Sequence, residues 1–204
     1  METIVNRIVS PGTGAPDHRR RMLIRATSVA GGAALVAAAS PFLASLAPSA
    51  RARARGAPVD EDLATLAAGE LRSVEWRGKP VWLLRRTPVM LASLEEDTGL
   101  LADPASIHSQ QPADCRNPYR SARPELFVAT GLCTHLGCVP TFRPKAGAAG
   151  LGPDWPGGFY CPCHGSKFDL AGRVFKDVPA PTNLVVPPYT FVAASVVRVG
   201  EGKR

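Results

Sequence analysis

The chain has 204 residues, of which 45% are hydrophobic and 20% are charged, and its formal net charge is +7. Eight of the basic residues but only two of the acidic ones lie in residues 1–58, so the rest of the chain is close to neutral. The high isoelectric point therefore gives no argument for nucleic-acid binding. It reflects a basic leader beside an apolar segment, which indicates a membrane.

The N-terminal part predicts a leader followed by a membrane-spanning helix. Arg19-Arg20-Arg21 stands in front of apolar residues, as in a twin-arginine export signal. Residues 26–47 contain no charge, and these 22 residues would extend about 33 Å as a helix, enough to cross the hydrocarbon core. Both a cleaved signal peptide and a retained anchor agree with this pattern.

Residues 48–58 alternate small residues with arginine between Pro and Gly, without apolar periodicity, and we interpret them as a flexible neck. Residues 59–204 form the head, which should be mainly β. A hairpin is predicted over 71–76 and 81–86, and Thr87-Pro88 begins a short helix that ends near Glu96. Residues 101–124 should be mostly loop. The other predicted strands are 125–130, 158–160, 167–169, 173–175, 184–186 and 189–199.

Two short boxes rich in Cys and His carry the chemistry of this chain. They read Cys133-Thr134-His135-Leu136-Gly137-Cys138 and Cys161-Pro162-Cys163-His164-Gly165-Ser166. Each offers one thiolate, one imidazole and a further cysteine. Two Cys and two His are the ligands of a Rieske 2Fe-2S cluster, with Cys133 and Cys161 on one iron and His135 and His164 on the other. They could also hold a structural zinc ion, but zinc leaves the further cysteines without a role.

Residues 71–82, 85–88 and 179–184, together with both boxes, resemble the Rieske iron-sulfur subunits of ubiquinol:cytochrome c oxidoreductase, the cytochrome bc complex. The similarity covers nearly the whole chain. It implies a transmembrane helix followed by a small antiparallel β domain, a sandwich or barrel, whose cluster-binding subdomain spans about 131–182. It also implies one 2Fe-2S cluster.

The resemblance assigns further roles within the site. It implies a disulfide between Cys138 and Cys163 and a hydrogen bond from the Ser166 hydroxyl to a bridging sulfide. His164, with His135 beside it, would contact the quinol and accept a proton with the electron. Leu136 would belong to the apolar tip that docks on cytochrome b. The 179–181 loop would lie over the cluster as a rigid cover.

The implied function is electron transfer from quinol to a c-type cytochrome, with cytochrome b as the other partner. The head would swing on its neck between these partners in a dimeric, proton-translocating complex, and the subunit alone would not turn over quinol. A fixed relay in a periplasmic molybdenum oxidase, such as arsenite oxidase, is the alternative. The retained-looking anchor and the 76–80 segment favour the first function.

The family resemblance favours a retained, single-pass anchor in a bacterial inner membrane. A cluster inserted in the cytoplasm must be exported in a folded protein, which the twin-arginine route permits. A persistent disulfide also needs an oxidising compartment. We therefore expect a cytoplasmic N-terminus and a periplasmic head.

Four features fall outside the family pattern or carry no evident role. Phe168 stands where the family usually has tyrosine, and Val178 stands where glycine usually precedes the proline loop. Cys115 should be an unpaired thiol, and residues 143–157 should be a surface insertion. The loss of a tyrosine hydroxyl predicts a lowered midpoint potential, while Val178 disfavours a positive φ at its own position.

Overall fold

The structure is a computed structural model that describes residues 18–96 and 98–202. Most of the predicted leader, residues 1–17, lies outside the described residues. The chain forms two compact units that are divided after Ala50, and each is described by itself.

The N-terminal unit contains helix α1, His18–Ser45, of 28 residues. Among the described residues it is the one helix long and apolar enough to cross a membrane. It begins before the predicted span, so that Arg19–Arg21 lie in its first turn, and it ends two residues before Ala47. The hydroxyls of Thr27, Ser40 and Ser45 donate to carbonyls of the preceding turn, for example from Thr27 to the Leu23 oxygen at 2.9 Å. Such internal bonds satisfy polar groups that would be costly in lipid.

The predicted neck contains a short helix, α2, Ala50–Gly56. Its sequence alternates Ala and Arg, which are both strong helix formers. Pro48, Gly56 and Pro58 lie at the two ends of this helix, so they limit its length but do not prevent it from forming. A helix of seven residues has little stability of its own.

The elements of the head that the structure describes are β1 Val59–Asp62, β2 Leu71–Trp76, β3 Lys79–Arg85, α3 Pro88–Glu96, β4 Leu126–Thr130, β5 Thr141–Arg143, β6 Gly158–Tyr160, β7 Lys167–Phe168, β8 Tyr189–Phe191 and β9 Val196–Val199. These strands form three antiparallel sheets of three strands each. The strand orders are β1-β9-β8, β2-β3-β4 and β5-β6-β7. The mainly β fold with an N-terminal apolar helix is therefore confirmed.

Local signals predicted the β2–β3 hairpin and α3 correctly. The β2–β3 hairpin pairs Trp76 with Lys79 around a two-residue turn. The hydroxyl of Thr87 accepts the Met90 N–H at 3.2 Å, so it caps α3 as predicted. Between residues 101 and 124 the structure has one 3-10 turn, Ala113–Cys115, in what is otherwise a loop.

Two predicted strands are wrong, the predicted run 189–199 is divided into the two strands β8 and β9, and two observed strands were not predicted. Residues 173–175 make only isolated bridges, to Phe168 and Leu101, and 184–186 form no strand. Both segments instead make scattered main-chain bonds: the Phe175 N–H donates to the Lys167 carbonyl of β7, and the Val186 N–H donates to the Gln110 carbonyl in a loop. Strand β1 was missed because its sequence, Val-Asp-Glu-Asp, has few apolar residues, and β5 because it is three residues long.

Aromatic side chains join the sheet that contains β3 and β4 to the one that contains β6. Trp82 of β3 stacks on Phe159 of β6, with ring centroids 4.9 Å apart. Phe127 of β4 lies 6.2 Å from the same ring. This contact fixes the sheet that carries the second box against the sheet that leads into the first.

Buried arginines hold the loops around this core. Arg120 is fully buried and donates to the carbonyls of Ala171, Gly172 and Leu184. Arg173 forms a buried ion pair with Asp169, with Nε 2.5 Å from Oδ2. Burial lowers the pKa of Arg120 to about 10, and the charge of Asp169 opposes this shift. The side chain remains charged at neutral pH and serves as a donor to backbone that no strand satisfies.

Candidate metal centre

The two boxes fold into loops with the same main-chain hydrogen bonds. In the first, the N–H of Cys133 donates to the Cys138 carbonyl at 2.7 Å, and the N–H of Gly137 donates back to Cys133 at 2.9 Å. In the second, Cys161 donates to the Ser166 carbonyl at 2.8 Å, and Gly165 donates to Cys161 at 3.0 Å. The two glycines have φ values of 81° and 79°. This positive φ favours glycine and closes each loop at the same position.

The structure brings the four candidate ligands together as two pairs, one of thiols and one of imidazoles. Cys133 and Cys161 are buried, and their thiols contact each other. The rings of His135 and His164 are nearly perpendicular, with centroids 4.9 Å apart. His135 is half-buried and His164 is exposed. If one group were held by all four residues, the cysteines would shield one end of it from water and the histidines would bind the end nearer to solvent.

The electrostatics of the thiols fit a bound cationic centre. Burial raises the pKa of the Cys133 thiol, and the adjacent Cys161 raises it further. The His135 backbone N–H and the Ser166 hydroxyl act in the opposite direction. Two adjacent buried thiols do not both ionise readily without a positive partner. Iron would supply that positive charge and replace their protons.

A disulfide joins the two loops. It links Cys138 to Cys163, the pairing that the family resemblance implies. The sulfurs of Cys138, Cys161 and Cys163 all lie within 4.8 Å of one another, but the first and third are bonded to each other and are not free to ligate metal. The disulfide therefore lies directly beside a candidate ligand and holds the two tips together.

The 179–181 loop is attached to both boxes. The N–H of Ala180 donates to the Ser166 hydroxyl at 3.1 Å, and the Thr134 hydroxyl donates to the Thr182 carbonyl at 2.6 Å. Ser166 is fully buried and hydrogen-bonds to the Cys133 thiol. The family resemblance implied a role for Ser166, but Thr134 and the amide of Ala180 were not predicted to take part in the site. No sequence signal could have identified a main-chain donor contributed by a distant loop.

The structure explains the departure at position 178. The positive φ of this loop falls on Asp177, at 57°, and Val178 is not among the residues with positive φ. The turn is therefore made one residue earlier, and a β-branched residue at 178 is compatible with it. Aspartate tolerates this region better than most residues.

The other singled-out residues have simple environments. Leu136 is 73% exposed at the tip of the first box. Cys115 is a buried free thiol that donates to the Tyr189 hydroxyl at 3.5 Å, and burial raises its pKa to about 11. Within the 143–157 insertion, Trp155 is buried, packs against Phe175 and donates to the Arg143 carbonyl at 3.0 Å. The insertion is thus anchored by one tryptophan.

Comparison with known proteins agrees with this site. A family model described as the Rieske [2Fe-2S] domain matches residues 110–190. The ubiquinol-cytochrome c reductase iron-sulfur subunit of Allochromatium vinosum is 55% identical over 190 residues, which cover 93% of this chain and 92% of that protein. The subunit of the same name from Blastochloris viridis is 42% identical over 185 residues, covering 90% of this chain and 93% of its own length.

Among solved structures, a chain of a hyperthermophilic respiratory complex III aligns with 24% identity and a TM-score of 0.46, covering 87% of this chain and 98% of that one. The family assignment follows from the sequence relatives, which match along almost their entire length. The chain belongs to the Rieske iron-sulfur subunits of ubiquinol-cytochrome c reductase.

Proposed function

We propose that this chain is the subunit that carries single electrons from quinol to a c-type cytochrome in a quinol:cytochrome c oxidoreductase. The observation that carries this proposal is the pairing of the two boxes: their ligand thiols are buried in contact, their imidazole centroids are 4.9 Å apart, and His164 is exposed. The relatives that bear the name of this reductase match over 90% or more of the chain, and they support the same function. A fixed relay in a molybdenum oxidase is not favoured, because no feature of the site calls for it.

Each box would supply one ligand to each end of the cofactor. Cys133 and Cys161 would hold the buried iron, and His135 and His164 the exposed one. When bound, a Rieske 2Fe-2S cluster accepts and releases one electron at a potential of about −150 to +300 mV. The buried cysteines would keep water from one end of the cofactor, and because His164 is exposed, its ring nitrogen that does not bind iron would be open to a substrate.

That outer nitrogen of His164 would accept a hydrogen bond from the quinol hydroxyl and then hold its proton. His135 lies 4.9 Å away, between centroids, and shapes the same surface. The exposed Leu136 would contact an apolar surface of cytochrome b beside the quinol. Because the chain itself supplies only one wall of such a site, we expect no quinol turnover by the isolated subunit.

The proposed topology has α1 in a bacterial inner membrane, the N-terminus in the cytoplasm and the head in the periplasm. Two observations support it. Three consecutive arginines lie in the first turn of α1, as in a twin-arginine signal. The head contains a disulfide, which persists in an oxidising compartment.

Replacement of one imidazole tests the function directly. We expect His164→Ala to abolish both the Rieske EPR signal and quinol:cytochrome c activity in membranes. His108→Ala is the matched control, because His108 is exposed and lies outside both boxes. A His164→Ala variant that keeps signal and activity would contradict the ligand assignment.

Purification from membranes tests the partners and the metal. Co-purification with b-type haem supports the proposed complex, and co-purification with a molybdopterin subunit supports the alternative. Zinc without acid-labile sulfide in the purified chain would refute both.

A further inference from the structure

The hydroxyl of Ser166 has one proton to donate, and its direction is determined by what surrounds the oxygen. The Ala180 N–H donates to this oxygen at 3.1 Å. A hydroxyl proton rotates to suit its partners, so occupation of one lone pair restricts where that proton can point. Ser166 is fully buried, and water cannot compete for its oxygen. Its other partner is the thiol of Cys133, one of the residues that would hold the cofactor.

The loop that presents this amide is rigid. Pro179 and Pro181 flank Ala180 and restrict its backbone. The hydroxyl of Thr134, in the first box, donates to the carbonyl of Thr182, the residue after Pro181, at 2.6 Å. Beyond it, Asn183 is buried; its side chain accepts the Val174 N–H at 2.8 Å and donates to the Asp103 carbonyl at 2.9 Å. The amide of Ala180 therefore has little freedom to leave Ser166.

We propose that the main-chain N–H of Ala180 is a positioning group that directs the Ser166 hydroxyl proton at the cluster and thereby raises the reduction potential. Thr134 holds the loop in the register that this requires. The proposal rests on the cluster assignment made above. Because Phe168, two residues after the second box, offers no hydroxyl, this chain depends on the orientation of Ser166 more than a relative with tyrosine would.

A donor directed at a cluster sulfur stabilises the reduced, more electron-rich state. Without the Ala180 N–H, the Ser166 proton can turn toward other acceptors, and the preference for the reduced state falls. We expect this preference to fall about threefold to tenfold, which corresponds to a potential lower by about 30 to 60 mV for one electron. The fall should not exceed that of Ser166→Ala.

The direct test replaces the amide at position 180 by an ester. Lactic acid in place of Ala180 keeps the methyl group and removes the N–H. A proline would also remove it, but its ring would overlap the Ser166 oxygen. The full-length chain with this ester, made by cell-free translation and loaded with the cluster, is titrated with EPR detection. The same replacement at Ala122, whose N–H donates to the Tyr189 hydroxyl at 2.8 Å, is the control and should leave the potential unchanged.

A double-substitution cycle distinguishes orientation of the Ser166 hydroxyl by the Ala180 N–H from a direct effect of the amide dipole on the potential. In a Ser166→Ala background, the ester at 180 should cause no further fall. An equal fall in both backgrounds would overturn the proposal, and so would an unchanged potential in the Ser166 protein. Loss of the cluster on ester substitution would show a structural requirement instead of positioning, and would also refute it.

Variants of Thr134 provide an independent test by ordinary mutagenesis. Thr134→Val keeps the shape but removes the donor to Thr182, and it should lower the potential in the Ser166 protein only. Thr134→Ser keeps the hydroxyl and should restore the original value. If Thr134→Val leaves the potential unchanged, Thr134 does not hold the loop in the required register, and this part of the proposal is wrong. Absence of a Rieske signal in the unmodified protein would instead refute the proposed function itself.

Discussion

Phe168 occupies a fully buried position two residues after Ser166, where its ring fills space without offering a hydrogen bond. We expect Phe168→Tyr to raise the midpoint potential, because a phenol donates to ligand or cluster sulfur more favourably in the reduced state. A hydrogen bond worth about 0.5 to 1.5 kcal/mol between the two states corresponds to about 20 to 65 mV. Voltammetry of the full-length protein measures this shift.

Phe175→Tyr is the matched control for this change. Phe175 is only half-buried and packs against Trp155 in the insertion, so its added hydroxyl can reach water. The midpoint potential of the Phe175→Tyr variant should equal that of the unmodified protein. An unchanged or lower potential in Phe168→Tyr would show that the missing phenol does not determine the potential here.

The side chain of Asp103 holds a loop outside the boxes through hydrogen bonds. Its carboxylate accepts the N–H of Ile107 at 2.8 Å, the N–H of His108 at 3.1 Å and the Ser109 hydroxyl at 2.8 Å. Burial tends to raise its pKa, but these donors together lower it below the ordinary value of 3.8. The carboxylate therefore stabilises the fold above pH 3.8, and this contribution is lost as the pH falls through the lowered pKa.

We expect Asp103→Asn to cost about 1 to 3 kcal/mol at neutral pH, because the amide nitrogen cannot accept one of these bonds. Urea unfolding at pH 7 and at pH 3 measures the difference. The gap between variant and unmodified protein should shrink at the lower pH. A gap that stays constant would mean that the charge of Asp103 is not the stabilising feature.

At the scale of elements, the two boxes are equivalent loops that one covalent bond holds together. The disulfide closes a segment of 25 residues, and the loss of this constraint from the unfolded chain corresponds to about 3.5 kcal/mol in the chain-entropy treatment. We expect Cys138→Ala with Cys163→Ala to lower the unfolding free energy of the head by about that amount. Chemical reduction of the unmodified protein should produce a similar loss.

The Cys115→Ala variant is the control for removal of a cysteine side chain. It removes a buried thiol outside the boxes and should leave the attachment of the two tips intact. If the double variant unfolds at the same denaturant concentration as this control, the disulfide does not stabilise the head.

Elements with strong local signals were the predictable part of the fold. The β2–β3 hairpin and α3 follow from apolar runs, a two-residue turn and a Thr-Pro helix start. By contrast, β1 is held by its pairing with β9, from Val59 opposite Val199 to Asp62 opposite Val196. Its acidic sequence carries no such signal, since tertiary pairing determines the strand.

The ligand boxes could likewise be identified from the sequence, because spacing and residue type carry that chemistry. The contacts that surround the boxes could not. The Ala180 amide and the buried Arg120 act across 14 and up to 64 residues of sequence, respectively. Such contacts depend on how loops pack, and a local pattern does not encode them.

At the scale of the whole molecule, the neck joins a unit suited to a membrane to a unit that carries the site. Helix α2 is short and is bounded by Gly56 and Pro58, which both disfavour its extension. In the proposed function this segment must change its length or direction while the head exchanges partners. A helix that readily unfolds at one end suits such a role.

We expect Gly56→Ala with Pro58→Ala to extend and stiffen α2 and so to slow cytochrome c reduction. Gly→Ala alone favours the helix by about 1 kcal/mol, which shifts the helical population roughly fivefold. We therefore expect turnover to fall at least about fivefold. The EPR spectrum and the midpoint potential should not change, because both substitutions lie outside the boxes.

Gly31→Ala in α1 is the matched control for the neck variant. A methyl group there would meet no atom within 4 Å, and it adds the same helix propensity outside the neck. Turnover measured in membranes with quinol and cytochrome c should be unaffected by it. Equal turnover in the neck variant and this control would show that the neck does not need to unfold, and the swinging-head part of the proposal would then be wrong.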